Sequence, residues 1–317
     1  MQANSRPVED HLRAVHLAHV QKGDPTLPIP LTQALAFLRN ASEAEGPDLP
    51  VRVVSGESVA ELGLIGRIAL AGGSVRSALF RVAEAIPAQI SHYTIMARAA
   101  PDGVIVRQVW HLRMEEDTRH YAQQYFAALI HALCANGGAR RPMFRRVALV
   151  PHPVHGLAHL QPWFGDALEA SPDRTLELLV PSRVADRVLP ASAPEVPGLE
   201  GHGAYPAVCG DGKLSTQVRT LLPSLFDEGM PTVARVAAAT GYSVRTFQRR
   251  LDEEHASFSR LLGEVRRDLA LAALATEDMK IGDIAGRLGY DQHSSFTRAV
   301  HRWTGTSPRG LAGARRR

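Results

Sequence analysis

The sequence is poor in cysteine: Cys134 and Cys209 are the only two in 317 residues. That excludes a disulfide-stapled scaffold. With no CxxC spacing, it also excludes the common zinc-ribbon and thiol-redox motifs. One bridge between the pair is conceivable, but reduced thiols in a cytosolic protein are the expected state. Long apolar runs are also missing. No uninterrupted stretch approaches the ~20 residues needed to span a bilayer. The segment Met1–Asp10 is polar and lacks the apolar centre of a secretory leader, so none is expected. There is no Walker loop, no GxGxxG after a strand and no GxSxG, which removes the usual phosphate-cradle and nucleophile-elbow readings. Charge of one sign is scarce too: 36 Lys/Arg stand against 32 Asp/Glu, a net of +4. What is present is ordinary globular material, 45% hydrophobic and 21% charged, in a length that suits about two domains.

Proline and glycine concentrate where a boundary is needed. Residues 190–212 hold Pro190, Pro194, Pro197 and Pro206 with Gly198, Gly201, Gly203, Gly210 and Gly212. They carry neither helical nor strand periodicity, so 191–212 is expected to be a linker. Splitting the charge there is informative. Residues 213–317 carry 17 Lys/Arg and 11 Asp/Glu, a net of +6, whereas residues 1–212 carry 19 and 21, a net of −2. The basic character belongs to the C-terminal third, which implies an anionic partner for that part alone.

The N-terminal part alternates two periods. Helices are expected over 8–21, 31–44, 74–86 and 117–135, and strands over 90–98, 104–112 and 145–150. Leu176, Leu178 and Leu179 predict a further strand, followed by Pro181 and a short helix near 182–189. This predicts a mixed α/β domain. The C-terminal part reads as helix throughout. Val218, Leu221, Leu222, Leu225 and Phe226 make one apolar stripe, and Phe258, Leu261, Leu262, Val265, Leu269 and Ala272 make another.

A repeat lies inside the helical part. Ala237-x3-Gly241-Tyr242 recurs 48 residues on as Ala285-x3-Gly289-Tyr290. Each copy follows a short apolar helix and runs through an expected cap, Ser243 or Asp291, into a basic helix. The pattern fits a helix-turn-helix. A small residue stands where two helices cross, and a glycine stands where the turn needs φ > 0. In the first copy Phe247 and Leu251 should face inward, leaving Arg245, Gln248, Arg249 and Asp252 outward. In the second, Phe296, Val300 and Trp303 should face inward, leaving His293, Ser294, Thr297, Arg298 and His301 outward. The second register is thus displaced by one residue. A helix over 257–275 would hold the copies about 28 Å apart at 1.5 Å per residue. That is near the ~34 Å of one B-DNA turn, so both could enter successive major-groove segments on one face of a duplex.

These residues resemble the DNA-binding domain of AraC/XylS transcriptional regulators. The resemblance is carried by Thr232–Asp252 (TVARVAAATGYSVRTFQRRLD) and Lys280–Arg309 (KIGDIAGRLGYDQHSSFTRAVHRWTGTSPR) and covers residues 213–312. It implies that Arg245, Gln248 and Arg249 read bases in one half of a site and that His293, Ser294 and Arg298 read the other. Each arginine is suited to a guanine and Gln248 to an adenine. Two departures stand out. Glu254-His255 replaces a usual glycine, and Leu311-Ala312 replaces a usual aromatic-Arg pair. Residues 8–190 resemble the AraC-type effector domain of the ornithine-utilisation regulator group. The carriers are Leu62-Gly63-Leu64-Ile65-Gly66, Val147–Val154 (VALVPHPV), Phe164-Gly165 and the Leu176–Pro190 ending. That resemblance implies a domain for binding a small molecule, for dimerisation, or for both.

The expected protein is therefore multidomain, a mixed α/β N-terminal domain plus an all-α C-terminal domain with two helix-turn-helix units. It is expected to be a transcription regulator, an activator under effector control, in the bacterial cytoplasm with the nucleoid. Its expected partners are double-stranded operator DNA, RNA polymerase, a small-molecule effector and a second copy in a homodimer. No membrane, cofactor, metal or catalytic site is expected. Two alternatives stand beside this reading. One is an architectural DNA-binding protein without effector control. The other is a metal-dependent enzyme fused to a DNA-binding domain, prompted by His152, His155 and His159 and by His11, His16 and His19. Pro151 and Pro153 bracket His152, so no regular helix presents these as ligands, and no glutamate completes an HExxH. Glu115-Glu116-Asp117 reads as an acidic first helical turn. Arg140, Arg141, Arg145 and Arg146 read as a solvated edge, and Arg315–Arg317 as a tail that adds nonspecific phosphate attraction.

Overall fold

The computed structural model describes residues 8–18, 20, 28–190, 212–226, 229–276 and 279–314. Residues 191–211 of the expected linker, Cys209, His19 and Arg315–Arg317 lie outside the described residues. The chain divides into two units, residues 1–15 with 33–210 and residues 16–32 with 211–317.

The first unit is mixed α/β. Up to residue 185 the helices are α1 (Val8–Ala14), α2 (Leu31–Glu45), α3 (Leu49–Arg52), α4 (Gly63–Ala69), α5 (Val75–Gln89), α6 (Glu116–Asn136), α7 (Gln161–Phe164) and α8 (Ser182–Ala185). The strands are β1 (Gly73–Ser74), β2 (Tyr93–Ala100), β3 (Gly103–Trp110), β4 (Arg146–Leu149), β5 (Leu168–Ala170), β6 (Leu176–Pro181) and β7 (Val188–Leu189). Five form one sheet in the order β2-β3-β6-β4-β5, in which only β4 and β5 run parallel, and β1 pairs with β7. Period two decides the facing of β6: Leu176, Leu178 and Val180 are buried and alternate with half-buried neighbours. Across the ladder Val104 meets Val180 and Val106 meets Leu178, all buried, so pairing and core formation coincide. Helix α5 starts from a reciprocal Ser74–Ser77 capping box and buries Val75, Ala78, Leu79, Val82 and Ile86. Helix α6 is buried along most of its length, and burial pushes the Cys134 thiol up to about 12.

Several expectations shift here. The expected 8–21 helix stops at Ala14, and His16 takes a left-handed φ of 58°. The 74–86 helix runs on to Gln89 through Pro87. The 182–189 segment is one helical turn and then the two-residue β7. Helices α3, α4 and α7 and the edge strand β5 had no periodic signal, because an element of three to seven residues barely completes one period.

The second unit is all helix: α9 (Leu214–Phe226), α10 (Val233–Ala239), α11 (Val244–Glu253), α12 (Phe258–Thr276), α13 (Ile281–Arg287), α14 (His293–Thr304) and α15 (Pro308–Ala314). One apolar cluster runs through it, joining Leu222 and Phe226 of α9, Val236 and Ala237 of α10, and Phe247 and Leu251 of α11. It continues through Leu261 and Val265 of α12 to Ile284 and Ala285 of α13 and Phe296 and Val300 of α14. Helix α12 packs against α9, α13, α14 and α15. Its buried residues, Leu261, Val265, Ala270, Ala273 and Leu274, therefore spread beyond a single stripe, and Ala272 of the expected stripe is exposed.

Both departures from the family pattern have a local role. The Glu254 carboxylate accepts the backbone N–H of Leu214 at 2.7 Å and of Ser215 at 2.8 Å, placing an anion on the N-terminus of α9. His255 holds φ 53°, and Ala256 N–H closes on Leu251 C=O at 2.8 Å, which ends α11 in a left-handed cap without glycine. Leu311 packs on the apolar cluster, so α15 docks through an aliphatic side chain. Replacing Glu254 by Ala should lower the stability of this unit by ~1–2 kcal/mol through the lost cap. His255→Gly should raise it by ~0.5–1 kcal/mol, relief of the left-handed strain outweighing the added chain entropy. Calorimetric scans of the full chain check both, and a stabilising Glu254→Ala would contradict the capping role.

Candidate nucleic-acid interface

Each helix-turn-helix is built on the same turn. In the first copy Thr232 caps α10 by accepting the Arg235 N–H, and Ala237 is buried at the crossing. Gly241 takes φ 75°, and Tyr242 N–H closes back on Ala237 C=O at 2.9 Å. In the second copy Gly289 takes φ 74°, and Tyr290 N–H closes on Ala285 C=O at 2.9 Å. Both glycines sit in the left-handed region that a side chain disfavours.

The copies then diverge. Ser243 is the cap of α11 and accepts the Thr246 N–H. The expected cap Asp291 is not the equivalent residue, because α14 begins one position later, with Gln292 at the cap and no side-chain bond. The second turn is longer by one residue. That single residue displaces the inward register, so Phe296, and not Ser295, is the fully buried counterpart of Phe247.

Inward and outward faces separate cleanly. Phe247 and Leu251 are buried beneath α11, and Phe296, Ala299 and Val300 are buried beneath α14, with Trp303 half-buried beside them. Arg245, Gln248 and Arg249 are exposed on α11, and His293, Ser294 and Arg298 are exposed on α14. At 100° per residue the first three fall within an arc of about 100°, opposite Phe247 and Leu251. The second three span about 140°, again opposite the buried set. Arg249 pairs with Glu253 one turn on, and Arg298 Nη2 donates to Ser295 Oγ at 3.3 Å. Exposed i,i+4 pairs are worth ~0.3–0.5 kcal/mol, so the Arg249 guanidinium is cheaply redirected to another acceptor.

Two arginines that pack on the turns carry no signal in the repeat. The Arg250 guanidinium lies 4.7 Å from the Tyr242 ring centroid and donates to its hydroxyl at 3.0 Å. The Arg266 guanidinium, from α12, lies 4.8 Å from the Tyr290 ring. Each Gly-Tyr turn is thus covered by a cation, from its own second helix in one copy and from α12 in the other. Arg219 of α9 donates to Glu264 of α12 at 2.5 Å, which holds that carboxyl below its usual range.

Apart from His16, which belongs to the second unit, the remaining described candidates lie in the first unit. His152, His155 and His159 come together, joined by His120 of α6, which the sequence pattern had not marked. His11 is buried in α1. Among the described residues no group of three or more His, Cys, Asp or Glu is arranged to hold a metal ion. Glu116 and Asp117 occupy the first turn of α6, where they pair with Arg174 and Arg39. Arg145 pairs with Asp102, Arg146 pairs with Glu177, and Arg141 donates to Pro162 C=O. No helix among the described residues is long and apolar enough to cross a membrane.

Comparison with known proteins agrees with the second unit's geometry. Residues 236–313 match a family model described as a helix-turn-helix domain, and the domain is of the AraC type. An uncharacterised HTH-type transcriptional regulator of Mycobacterium tuberculosis is 40% identical over 83 residues, covering 26% of this chain and 24% of that protein. The ornithine utilization regulator of Pseudomonas aeruginosa is 34% identical over 95 residues, covering 30% of this chain and 28% of that protein. The chain thus matches about a quarter of the length of these curated relatives. The crystal structure of the transcriptional regulator CdpR from Pseudomonas aeruginosa aligns with 99% of this chain and 98% of its own, at 21% identity and a TM-score of 0.39.

The glycines of the second copy give a test with opposite signs. At Gly289 a Cβ would meet Met230 Sδ at 2.8 Å, on top of the positive φ. Gly289→Ala should therefore cost ~1–3 kcal/mol. Gly286, in α13 with nothing within 4 Å of the added carbon, should gain ~0.5–1 kcal/mol as Ala. Denaturant melts of both variants measure this, and equal effects would contradict the turn geometry.

Proposed function

We propose that the protein is a sequence-specific DNA-binding transcription regulator. Residues 213–312 bind an operator, residues 8–190 bind a small-molecule effector, dimerise, or both, and residues 191–212 connect them. The observation that carries this reading is the pair of second helices, each set by the same glycine turn. Each presents a polar face of exposed, mostly cationic or amide side chains away from one apolar cluster. Arg245, Gln248 and Arg249 read one half-site and His293, Ser294 and Arg298 the other. The net +6 of residues 213–317 supplies attraction to phosphate that does not depend on sequence.

The relatives are named as transcriptional regulators, which favours regulation over catalysis, and the name of one ties it to ornithine utilization. For this chain the corresponding control is by a small metabolite that biases the population of a DNA-competent state. The output is activation through contact with RNA polymerase, in the bacterial cytoplasm.

Arg249→Ala and Arg298→Ala should each remove ~1–3 kcal/mol of discrimination at one base pair, in different halves of the operator, while nonspecific affinity changes little. Binding selections on randomised operators compare the variants with the parent. Unchanged base preference in both would overturn the reader assignment. Affinity for the operator should also fall steeply with added salt.

A further inference from the structure

The histidine cluster of the first unit is used by no part of the DNA-binding reading. It fastens the loop after β4 to α6, and its hydrogen bonds fix the tautomers of His120 and His152. His120 is fully buried, with Nδ1 at 2.7 Å from the Val150 carbonyl oxygen. A carbonyl only accepts, so Nδ1 bears the hydrogen and Nε2 of the neutral ring is an acceptor. That Nε2 lies 3.0 Å from His159 Nε2, and two imidazole nitrogens at this distance hold one hydrogen between them. His159 supplies it.

His152 is committed in the opposite sense. Its Nδ1 accepts the backbone N–H of Val154 at 3.1 Å and of His155 at 3.1 Å, so this nitrogen must stay unprotonated. Its Nε2 then donates to the Tyr121 hydroxyl at 3.0 Å. Gln124, also fully buried, donates one amide N–H to Pro47 C=O at 2.9 Å and directs the other at the accepting His120 Nε2, 3.4 Å away. His120 and His152 are therefore held in the joint as neutral rings.

At His120 and His152 a second proton meets a nitrogen that is already accepting. At His120 Nε2 it would set N–H against N–H, and at His152 Nδ1 it would expel two backbone donors. The His120 ring lies 5.0 Å from His159 and 5.4 Å from His152, and His155 is 4.8 Å from His152, so added charges would repel one another. The charged groups facing the joint are Arg39 and Glu43 of α2, Asp48 before α3, and Asp117 of α6. Their carboxylates are already engaged, Asp117 and Glu43 with Arg39 and Asp48 with Arg52. We propose that this joint is a proton-sensing site, at which protonation of His120 Nε2 and His152 Nδ1 unfastens the 150–160 loop from α6.

The direction follows from linkage. Burial above all, with the neighbouring rings, holds His120 down at about 4, and burial also lowers His152 and His159. The fastened state then binds fewer protons than the released one. Its stability is complete above about pH 6.5 and is lost as the pH falls from there toward 4.

Hydrogen exchange of the full chain at pH 7 and pH 5, corrected for the intrinsic pH dependence, tests this. Peptides spanning 150–160 should lose protection at least ~tenfold at pH 5, while those from β6 keep theirs. In the double variant His120→Gln, His152→Asn, whose amide oxygens can still accept but do not titrate, most of the 150–160 protection lost by the parent at pH 5 should be retained, the remaining loss belonging to His159. Should that variant fail to fold, the parent profile decides alone. Protection of 150–160 that is unchanged at pH 5, lost in step with β6, or lost at pH 5 as fully in a folded double variant as in the parent would overturn the proposal.

Discussion

The two second helices, α11 and α14, are held by a single apolar cluster. Phe247 and Phe296, one from each, are both fully buried in it, and α12 contributes Leu261 and Val265 to the same cluster. Separate cores joined by a loop would let the two polar faces move independently. A shared core makes their separation and relative rotation a packing property, because close-packed interiors do not deform continuously. The 19 residues of α12 give a length of about 28 Å. Everything proposed for DNA recognition depends on that constraint.

Within it the two copies are alike but not identical. The glycine, the tyrosine closure and the buried alanine repeat, and one added residue before α14 then moves its cap and its inward register together. The same economy is seen at the end of α11. There a histidine in the left-handed region replaces glycine, while the preceding glutamate reaches the N-terminus of α9. A substitution that looks unfavourable at one position thus belongs to a contact between α9 and the turn after α11.

Much of this was legible in the sequence because it is periodic or repeated. The 48-residue repeat marked both turns, and Phe247, Leu251, Phe296 and Val300 were recognisable as inward residues from 3.6-residue spacing. So were α5, α6 and the strands β2, β3, β4 and β6, whose alternation covers enough residues to be counted. Asp291 was misread as a cap because the repeat offset hid the extra residue. The short elements and the histidine joint were not legible for a different reason. His120 lies 32 positions before His152 in sequence, and only the packing of α6 against the loop after β4 brings them together. Spacing within a segment marks a face of that segment, and it carries nothing about which other segment covers it. The identities of the six proposed reader residues rest on resemblance and exposure alone, since the fold constrains only the opposite face.

The most direct test of the shared-core account is the affinity of the full chain for its operator after base pairs are inserted between the two half-sites. Inserting five rotates one half by about half a turn, and inserting ten restores the rotation but lengthens the span by about 34 Å. A fixed separation set by one core predicts that either insertion leaves only the affinity of a single half-site. Affinity that is unchanged by five inserted base pairs, or restored by ten, would contradict the account.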